Sequence, residues 1–151
     1  MSFRNVYPLV AFAVAVLTAT FSAAAQLSTL PVTIKNQKIT VEVAVSEAER
    51  QHGLMNRFSL RKGQGRLFVF ARPLPLVFWM RNTYIPLSVA FIDREGQILN
   101  VADMEPQTET KHPSAGTALY ALEMRPGWFK DRGITPGAKV EGLEKAPKAI
   151  D

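Results

Sequence analysis

The amino-acid sequence predicts a small, mainly β protein: an antiparallel β-sandwich or a jelly-roll-like barrel with one short helix. Apolar and polar residues alternate with a period of two between residues 30 and 45, and many of them are β-branched. Short apolar runs recur along the rest of the chain with turn-forming residues between them. One short helix is predicted over 47–52, where a capping-box start signal is followed by a glycine stop signal.

The first 25 residues are predicted to be a signal peptide that is cleaved near Ala25. Arg4 precedes an uncharged run over 6–21, and an Ala-x-Ala motif ends at Ala25. The alternative is a membrane anchor, but the run is shorter than the roughly 20 apolar residues that a span requires. No later stretch is apolar enough to cross a bilayer, so we expect a periplasmic or secreted protein.

The predicted mature chain has the size and charge of one self-sufficient domain. Removing 25 of the 151 residues leaves 126, enough to bury a core, and residues 26–143 are expected to form it. The absence of cysteine excludes disulfides, thiol catalysis and cysteine metal sites. Without Arg4, 17 basic and 13 acidic residues remain, a net charge of +4 that favours solubility or attraction to the anionic envelope.

The first elements follow from local patterns. Alternation predicts two strands within 30–45, joined as a hairpin by a turn at residues 36–37. The helix is predicted because Ser46 and Glu49 have the spacing of a capping box. Gly53 is placed to end that helix.

The later elements are separated by glycine- and proline-containing segments. Strands or apolar strand-like runs are predicted over 67–70, 76–80, 87–93, 98–104, 118–124 and 139–143. Two prolines predict a bend at 71–75, and Pro126 opens a predicted helical turn over 126–132. The longest irregular segment is predicted at 105–117, where function is expected to lie, and a frayed polar tail at 144–151.

Five motifs occur in a distinctive order. They are GLM at 53–55, GRLFVF at 65–70, FWMRNT at 78–83, IPLSVAFID at 85–93, and LE at 122–123 followed by Gly127. The series resembles the signature of a family of exported bacterial and archaeal proteins catalogued as a domain of unknown function. The resemblance extends over roughly residues 41–143 and implies a compact, jelly-roll-like β-sandwich with a short helix. It implies no activity.

The chain departs from that family pattern at two positions. Ser88 stands where the pattern has Asp, and Gln107 stands where many members have Cys. Chemistry that requires this carboxylate or this thiol is therefore not expected here.

The FWMRNT motif supplies the first candidate site. Trp79 offers an aromatic face for a sugar ring, while Arg81, Asn82 and Thr83 supply hydrogen-bonding groups beside it. The alternative interpretation is structural. In it, Trp79 fills the core and Asn82 satisfies backbone groups of a turn.

Three more polar residues are candidates for ligand binding or acid–base chemistry. Asp93 and Glu123 lie at or near strand ends and form a glycosidase pair if they are roughly 5–10 Å apart. Asp93 is more simply a hairpin-turn acid, and Glu123 is expected to pair with Arg81 or Arg125. His112, in the predicted long loop, is a ligand, an acid–base group or a solvated side chain.

The leading hypothesis is an exported, non-catalytic module of the envelope that binds a glycan or a small anionic molecule through Arg81, Asn82 and the 105–117 segment. One alternative is a hydrolase that uses Asp93, Glu123 or His112; another is an envelope assembly protein. No cofactor and no metal are predicted, because the methionines and histidines form no close ligand cluster. Nucleic acid is not an expected partner, given the predicted compartment and the lack of a basic cluster interleaved with aromatic residues.

Overall fold

The computed structural model describes residues 27–150. The predicted signal peptide lies outside the described residues and stays a prediction. The elements in chain order are β1 (Thr29–Ile34), β2 (Gln37–Ala44), α1 (Glu47–His52), β3 (Gly65–Phe78), β4 (Leu87–Ile92), β5 (Ile98–Met104), β6 (His112–Met124) and β7 (Val140–Glu141). Two short 3₁₀ turns occupy Lys130–Arg132 and Leu143–Lys145.

The strands form one curled sheet in the order β5-β4-β6-β3-β2-β1-β7. Neighbouring strands run antiparallel, except that β2 and β3 are parallel. The two edges meet at one end, where Gln97 and Lys139 form an antiparallel bridge and Val140 donates its backbone N–H to Gly96 at 2.8 Å. The predicted mainly β class is confirmed, whereas a sandwich or jelly roll is not, because the described strands form a single sheet.

Two hydrophobic clusters cover the two faces of this sheet. One receives side chains from all seven strands, together with Trp128 and Phe129, and fills the inside of the curl. The other lies on the outer face of β3, β4 and β6 and is completed by residues beyond the strands, among them Leu54 and Met80. Every residue of β4 is buried. Apart from Ser88 the sequence of β4 is apolar, because both faces of the strand pack against a core.

The capping box that predicted α1 is present in the structure. The Glu49 N–H donates to the Ser46 hydroxyl at 3.3 Å, and the Ser46 N–H donates to the Glu49 carboxylate at 2.9 Å. Gly53 ends the helix and donates its N–H to the Glu49 carbonyl at 3.0 Å. The helix therefore has the predicted bounds, and β4 and β5 lie within one residue of theirs.

Two predictions about irregular segments are wrong. The bend expected at 71–75 is part of β3, which continues through both prolines with register shifts between Val69 and Leu74 and between Pro75 and Val77. Such irregularities tolerate prolines because no ladder N–H is required there. The segment 105–117 is irregular only as far as residue 111, since β6 begins at His112 and pairs with the second half of β3.

The chain after residue 143 is not frayed, in contrast to the expectation from its polarity. Leu143 is buried in the inner core. The Ile150 N–H donates to the Val45 carbonyl at 2.9 Å, and Ile150 forms a parallel bridge with Ser46. The tail therefore returns to the start of α1.

Candidate ligand-binding groove

A groove of about 920 Å³ lies between α1 and the segment that follows β3. We call it the Trp79 groove. It brings together five of the seven residues predicted from the sequence to form a site, namely Trp79, Arg81, Asn82, Thr83 and Glu123. Its other side is formed by α1, through residues such as Glu47 and Arg50, and by the aromatic residues Phe70 and Phe78 of β3.

Trp79 and Arg81 form the exposed rim of the groove. Trp79 retains 47% of its surface accessible, so the interpretation in which it fills the core is wrong. The Arg81 guanidinium lies over the indole at 5.4 Å from the ring centroid and donates to the Glu109 carboxylate at 2.9 Å. That hydrogen bond and the charge of Glu109 raise the pKa of Arg81. The rim thus presents a flat aromatic ring beside a fixed cation.

The segment after β3 is held in place by its neighbours. Three backbone hydrogen bonds fix it. The Met80 N–H donates to the Thr108 carbonyl at 2.9 Å, the Gln107 N–H donates to the Thr83 carbonyl at 3.0 Å, and the Asn56 N–H donates to the Asn82 carbonyl at 3.1 Å. The first two bonds attach it to the irregular segment before β6, and the third attaches it to the loop after α1. The groove wall is therefore built by three loops rather than by one.

Asn82 and Thr83 have different roles in this wall. Asn82 adopts a left-handed φ of +55°, which asparagine tolerates better than most residues, and its side chain is exposed. Thr83 is buried, and its hydroxyl donates to the Arg81 carbonyl at 3.3 Å. Asn82 is therefore available to a ligand, while Thr83 stabilises the turn.

Glu123 is a buried carboxyl group on the wall of the groove. It is only 4% exposed, and its Oε2 atom has no hydrogen-bond partner among residues 27–150. Burial raises its pKa to about 8, although the charge of Arg66 opposes this shift. At neutral pH the group is therefore mostly an uncharged acid, able both to donate and to accept a hydrogen bond.

The charged neighbour of Glu123 was not predicted from the sequence. That neighbour is Arg66, which faces Glu123 across the β3–β6 ladder and is 3% exposed. Arg66 donates to the Gly53 carbonyl and pairs with Glu42 at 2.7 Å. The expected pairing of Glu123 with Arg81 is wrong, because Arg81 pairs with Glu109. A charge within the apolar run GRLFVF was the available signal for Arg66.

Glu42 joins two guanidinium groups on the far side of α1. Arg57 donates to its two oxygens at 3.0 and 2.6 Å, and Arg66 shares one of them. Burial works to raise the pKa of Glu42, but the hydrogen bonds and charges of the two arginines together hold it below its usual range. This ion pair network fixes the loop after α1 to the sheet.

Asp93 and His112 do not line the Trp79 groove. The Asp93 carboxylate accepts from the Gln97 N–H at 2.8 Å in the β4–β5 turn, the structural role considered for it. His112 begins β6 opposite Phe78, and its Nε2 atom is buried without a partner among the described residues. Of the three residues in the hydrolase hypothesis, only Glu123 therefore reaches the groove.

Ser88 stands at the position where the family pattern has an aspartate. Its hydroxyl donates to Asp103 at 2.5 Å and accepts from the Gly127 N–H at 2.9 Å. Ser88 thereby connects β4 to β5 and to the turn after β6. The glycine of the LE-x-x-x-G motif is thus fixed to the sheet by this serine.

Two further features bear on the type of site. Among residues 27–150, no group of three histidine, aspartate or glutamate side chains converges in a way that would hold a metal ion. No helix in that same range has the length and apolarity needed to span a membrane.

The curled seven-stranded sheet and its motifs define a class of small, mainly β proteins, and the comparisons identify the family. The sequence model of the DUF192 family, which is described as an uncharacterised ACR, matches residues 30–142. The chain therefore belongs to this family. No functionally curated protein matches the chain.

Two solved structures are similar to it. One, provisionally named a transcription regulator, is from Sinorhizobium meliloti, with a TM-score of 0.77, 31% identity and coverage of 80% of this chain and 98% of that one. The other is a protein of unknown function from Novosphingobium aromaticivorans, with a TM-score of 0.73, 36% identity and coverage of 78% and 88%.

Proposed function

We propose that this protein is an exported, non-catalytic binding module of the cell envelope that holds a small glycan in the Trp79 groove. The observation that carries the proposal is the position of Glu123, a buried acid with an unpartnered oxygen, in the same groove as an exposed tryptophan. A buried polar atom without a partner is rare in folded proteins. A ligand hydroxyl supplies the missing hydrogen bond if the side chains that cover Oε2 move aside when the ligand binds.

The chemistry of the groove suits a sugar. An exposed indole ring packs against the apolar face of a pyranose, and Arg81 and Asn82 at the rim provide donors for hydroxyl or carboxylate oxygens. Glu123, uncharged at neutral pH, donates to a hydroxyl without introducing a charge that a neutral ligand would leave unpaired. Together these groups match a ligand with one apolar face and several hydroxyl groups.

The proposal of export rests on the first 25 residues. Their short basic start, uncharged run and Ala-x-Ala motif are typical of a cleaved signal peptide. Mass measurement of the protein recovered from the periplasm tests this point, with a mature N-terminus at Gln26 as the expected result. An unprocessed chain retained in the cytoplasm contradicts it.

Binding is tested with soluble cell-wall glycan fragments, by thermal shift and by titration calorimetry. We expect saturable binding to the wild type and at least roughly tenfold weaker binding to the Arg81→Ala, Asn82→Ala variant, which loses charged and polar contacts. Arg94→Ala is the matched control, because Arg94 is also an exposed arginine beside a glutamate but lies in the β4–β5 turn. Equal affinities for all three proteins, or no binding to any, contradict the proposal.

A further inference from the structure

Charge is distributed unevenly along the chain. Between residues 50 and 92 there are seven basic residues and no acidic one. They are Arg50, Arg57, Arg61, Lys62, Arg66, Arg72 and Arg81. The rest of the chain has 11 basic and 13 acidic residues, so the net charge of +5 comes entirely from this segment.

The same segment contains most of the exposed large hydrophobic side chains. Within 27–150 these are Phe58, Val77, Trp79, Tyr84 and Ile150, and only the last lies outside it. Phe58 is the most accessible of them, at 82%. It stacks on Tyr84 with 5.2 Å between ring centroids and 7° between ring planes. We call Phe58 and Tyr84, together with Arg61 and Lys62, the aromatic tip.

The aromatic tip is held rigidly by the residues beside it. Arg57, immediately before Phe58, is fixed to Glu42 by two hydrogen bonds. Asn56 donates to Asn82, two residues before Tyr84, at 3.1 Å. The two loops therefore present their aromatic rings together, and the exposure of Phe58 is imposed by the fold.

Arg61 and Lys62 provide unpaired positive charge beside these rings. Both side chains are exposed, and neither forms an ion pair with another residue of 27–150. Three other bases of the segment are paired, since Arg57 and Arg66 share the Glu42 carboxylate and Arg81 pairs with Glu109. Arg72 is also exposed, but it lies on β3. Exposed aromatic rings flanked by free cations are the combination that binds the interface of an anionic bilayer.

We propose that the aromatic tip docks the protein onto a membrane surface rich in anionic phospholipid, with Phe58 and Tyr84 entering the headgroup region and Arg61 and Lys62 contacting lipid phosphates. A nucleic acid is the other polyanion to consider. It requires cations spaced along a strand and open ring faces for base stacking. Here the free cations of the aromatic tip form one adjacent pair, and each ring covers one face of the other. The docking surface shares no residue with the proposed glycan contacts and does not depend on them.

Co-sedimentation with phosphatidylcholine vesicles, with and without phosphatidylglycerol, tests the proposal. The protein is used as isolated, and all variants keep the same N-terminus, so any contribution from that region is common to them. We expect binding only when phosphatidylglycerol is present, with binding weakened by salt. Phe58→Ala with Tyr84→Ala is expected to bind at least roughly tenfold more weakly, because apolar burial is lost.

Charge is tested with a second pair of variants. Arg61→Gln with Lys62→Gln is expected to weaken binding about 25-fold, because each basic residue near an anionic surface contributes about fivefold. Lys145→Gln with Lys148→Gln removes the same charge from the exposed tail, and Ile150→Ala removes an exposed apolar side chain there. Both controls should bind like the wild type.

Three results overturn the proposal. They are equal binding of wild type and both tip variants, equal binding to the two kinds of vesicle, and binding to short DNA without binding to phosphatidylglycerol. Circular dichroism verifies that each variant is folded, and the charge pair still decides the question if the aromatic pair is not. If the protein binds vesicles but does not bind glycan fragments, only the proposed function is refuted.

Discussion

At the scale of single residues, Glu123 is the group that distinguishes the Trp79 groove from an ordinary surface cleft. Glu123 of β6 is paired with Arg66 of β3 on one side and with Val89 of β4 on the other. Neither of these strands provides a hydrogen bond to its Oε2 atom. An acid in this position destabilises the fold when it ionises and stabilises a ligand that accepts its proton in a hydrogen bond. Its protonation therefore connects binding to stability.

The stability of the protein is expected to depend on pH through Glu123. Its pKa is raised in the folded state from 4.5 to about 8, so between these values the folded chain binds a proton that the unfolded chain releases. The free energy of unfolding therefore falls as pH rises from 4.5 to 8, by on the order of 5 kcal/mol, and then levels off. Urea denaturation at a series of pH values measures this fall.

Glu123→Gln is the comparison that isolates this group. The amide imitates the uncharged acid and does not titrate, so the variant should match the wild type near pH 4.5 and be more stable than it above pH 8. The pKa values of Glu42 and Glu49 are lowered instead, and the stability that these two residues provide is lost as pH falls below about 4.5 in both proteins. Parallel pH profiles for wild type and variant contradict the assignment.

Glu42 tests the ion pair network on the other side of α1. Glu42→Gln leaves the buried Arg66 guanidinium without its carboxylate, so we expect a loss of about 2–4 kcal/mol in the free energy of unfolding. Arg57→Gln removes a pair whose side chains are 33% and 28% exposed and should cost less than about 1 kcal/mol. Similar losses in the two variants contradict the idea that burial of Arg66 determines the energy of this network.

At the scale of elements, the contact between β3 and β6 positions both Arg66 and Glu123, and Gly65 permits it. A Cβ atom added at Gly65 would lie 2.3 Å from the Met124 sulfur and 2.6 Å from the Glu123 carbonyl oxygen. The glycine of the GRLFVF motif is thus required by the close approach of two strands rather than by a turn. A side chain there would displace the backbone that carries Glu123.

Gly65→Ala is therefore expected to destabilise the protein by about 1–3 kcal/mol, as overpacking does in other cores. Its control is Gly116→Ala, because a Cβ there has the Leu99 side chain as its nearest contact, at 3.9 Å. That variant should stay within about 0.5 kcal/mol of the wild type. A tolerated alanine at Gly65 shows that β6 moves without cost, and the glycan affinity of the same variant shows whether Glu123 moves with it.

Elements determined by local signals were predictable from the sequence. The capping box located the start of α1 and Gly53 located its end, while period-two or apolar runs located β4 and β5. Elements determined by distant partners were not predictable. The first half of β6 reads as a polar loop, and it becomes a strand because it pairs with β3 beyond the prolines. The parallel pairing of β2 with β3 has no local signal either.

The candidate site was predictable to the same extent. The FWMRNT motif identified the rim of the Trp79 groove. Polar residues that directly follow an apolar run indicate the boundary between the core and the solvent. The register that places Arg66 opposite Glu123, and the pairing of Glu42 with Arg57 and Arg66, depend on strand order. No alternation or spacing within one strand reveals that order.

At the scale of the whole molecule, the fold depends on closing the sheet. The Ile98 N–H donates to the Ala138 carbonyl at 2.9 Å, and the Gly137 N–H donates to the Ile98 carbonyl at 2.7 Å. These bonds join the β5 edge to the β7 edge and leave fewer unpaired edge groups for association with other chains. At this end the inner core is thereby covered where the two edges of the curled sheet are hydrogen-bonded to each other.

The C-terminal tail completes this closure on the side of α1. Its link is the bond from the Ile150 N–H to the Val45 carbonyl, which lies directly before the helix cap at Ser46. Deletion of residues 147–151 removes that bond and the adjacent bridge. We expect a loss of about 1–2 kcal/mol, seen as a Tm lower by several degrees, because a net backbone hydrogen bond contributes about 1 kcal/mol.

Ile150→Ala separates the backbone contribution from the side chain. The side chain is 63% exposed, so its truncation should leave Tm nearly unchanged while the backbone bond remains. Amide hydrogen exchange provides a direct measurement, with slow exchange expected at Ile150 in both the wild type and Ile150→Ala. Exchange at the rate of an unstructured peptide would mean that the tail is frayed, as its polarity alone suggests. The ordered end of the chain would then be the 3₁₀ turn at Leu143–Lys145.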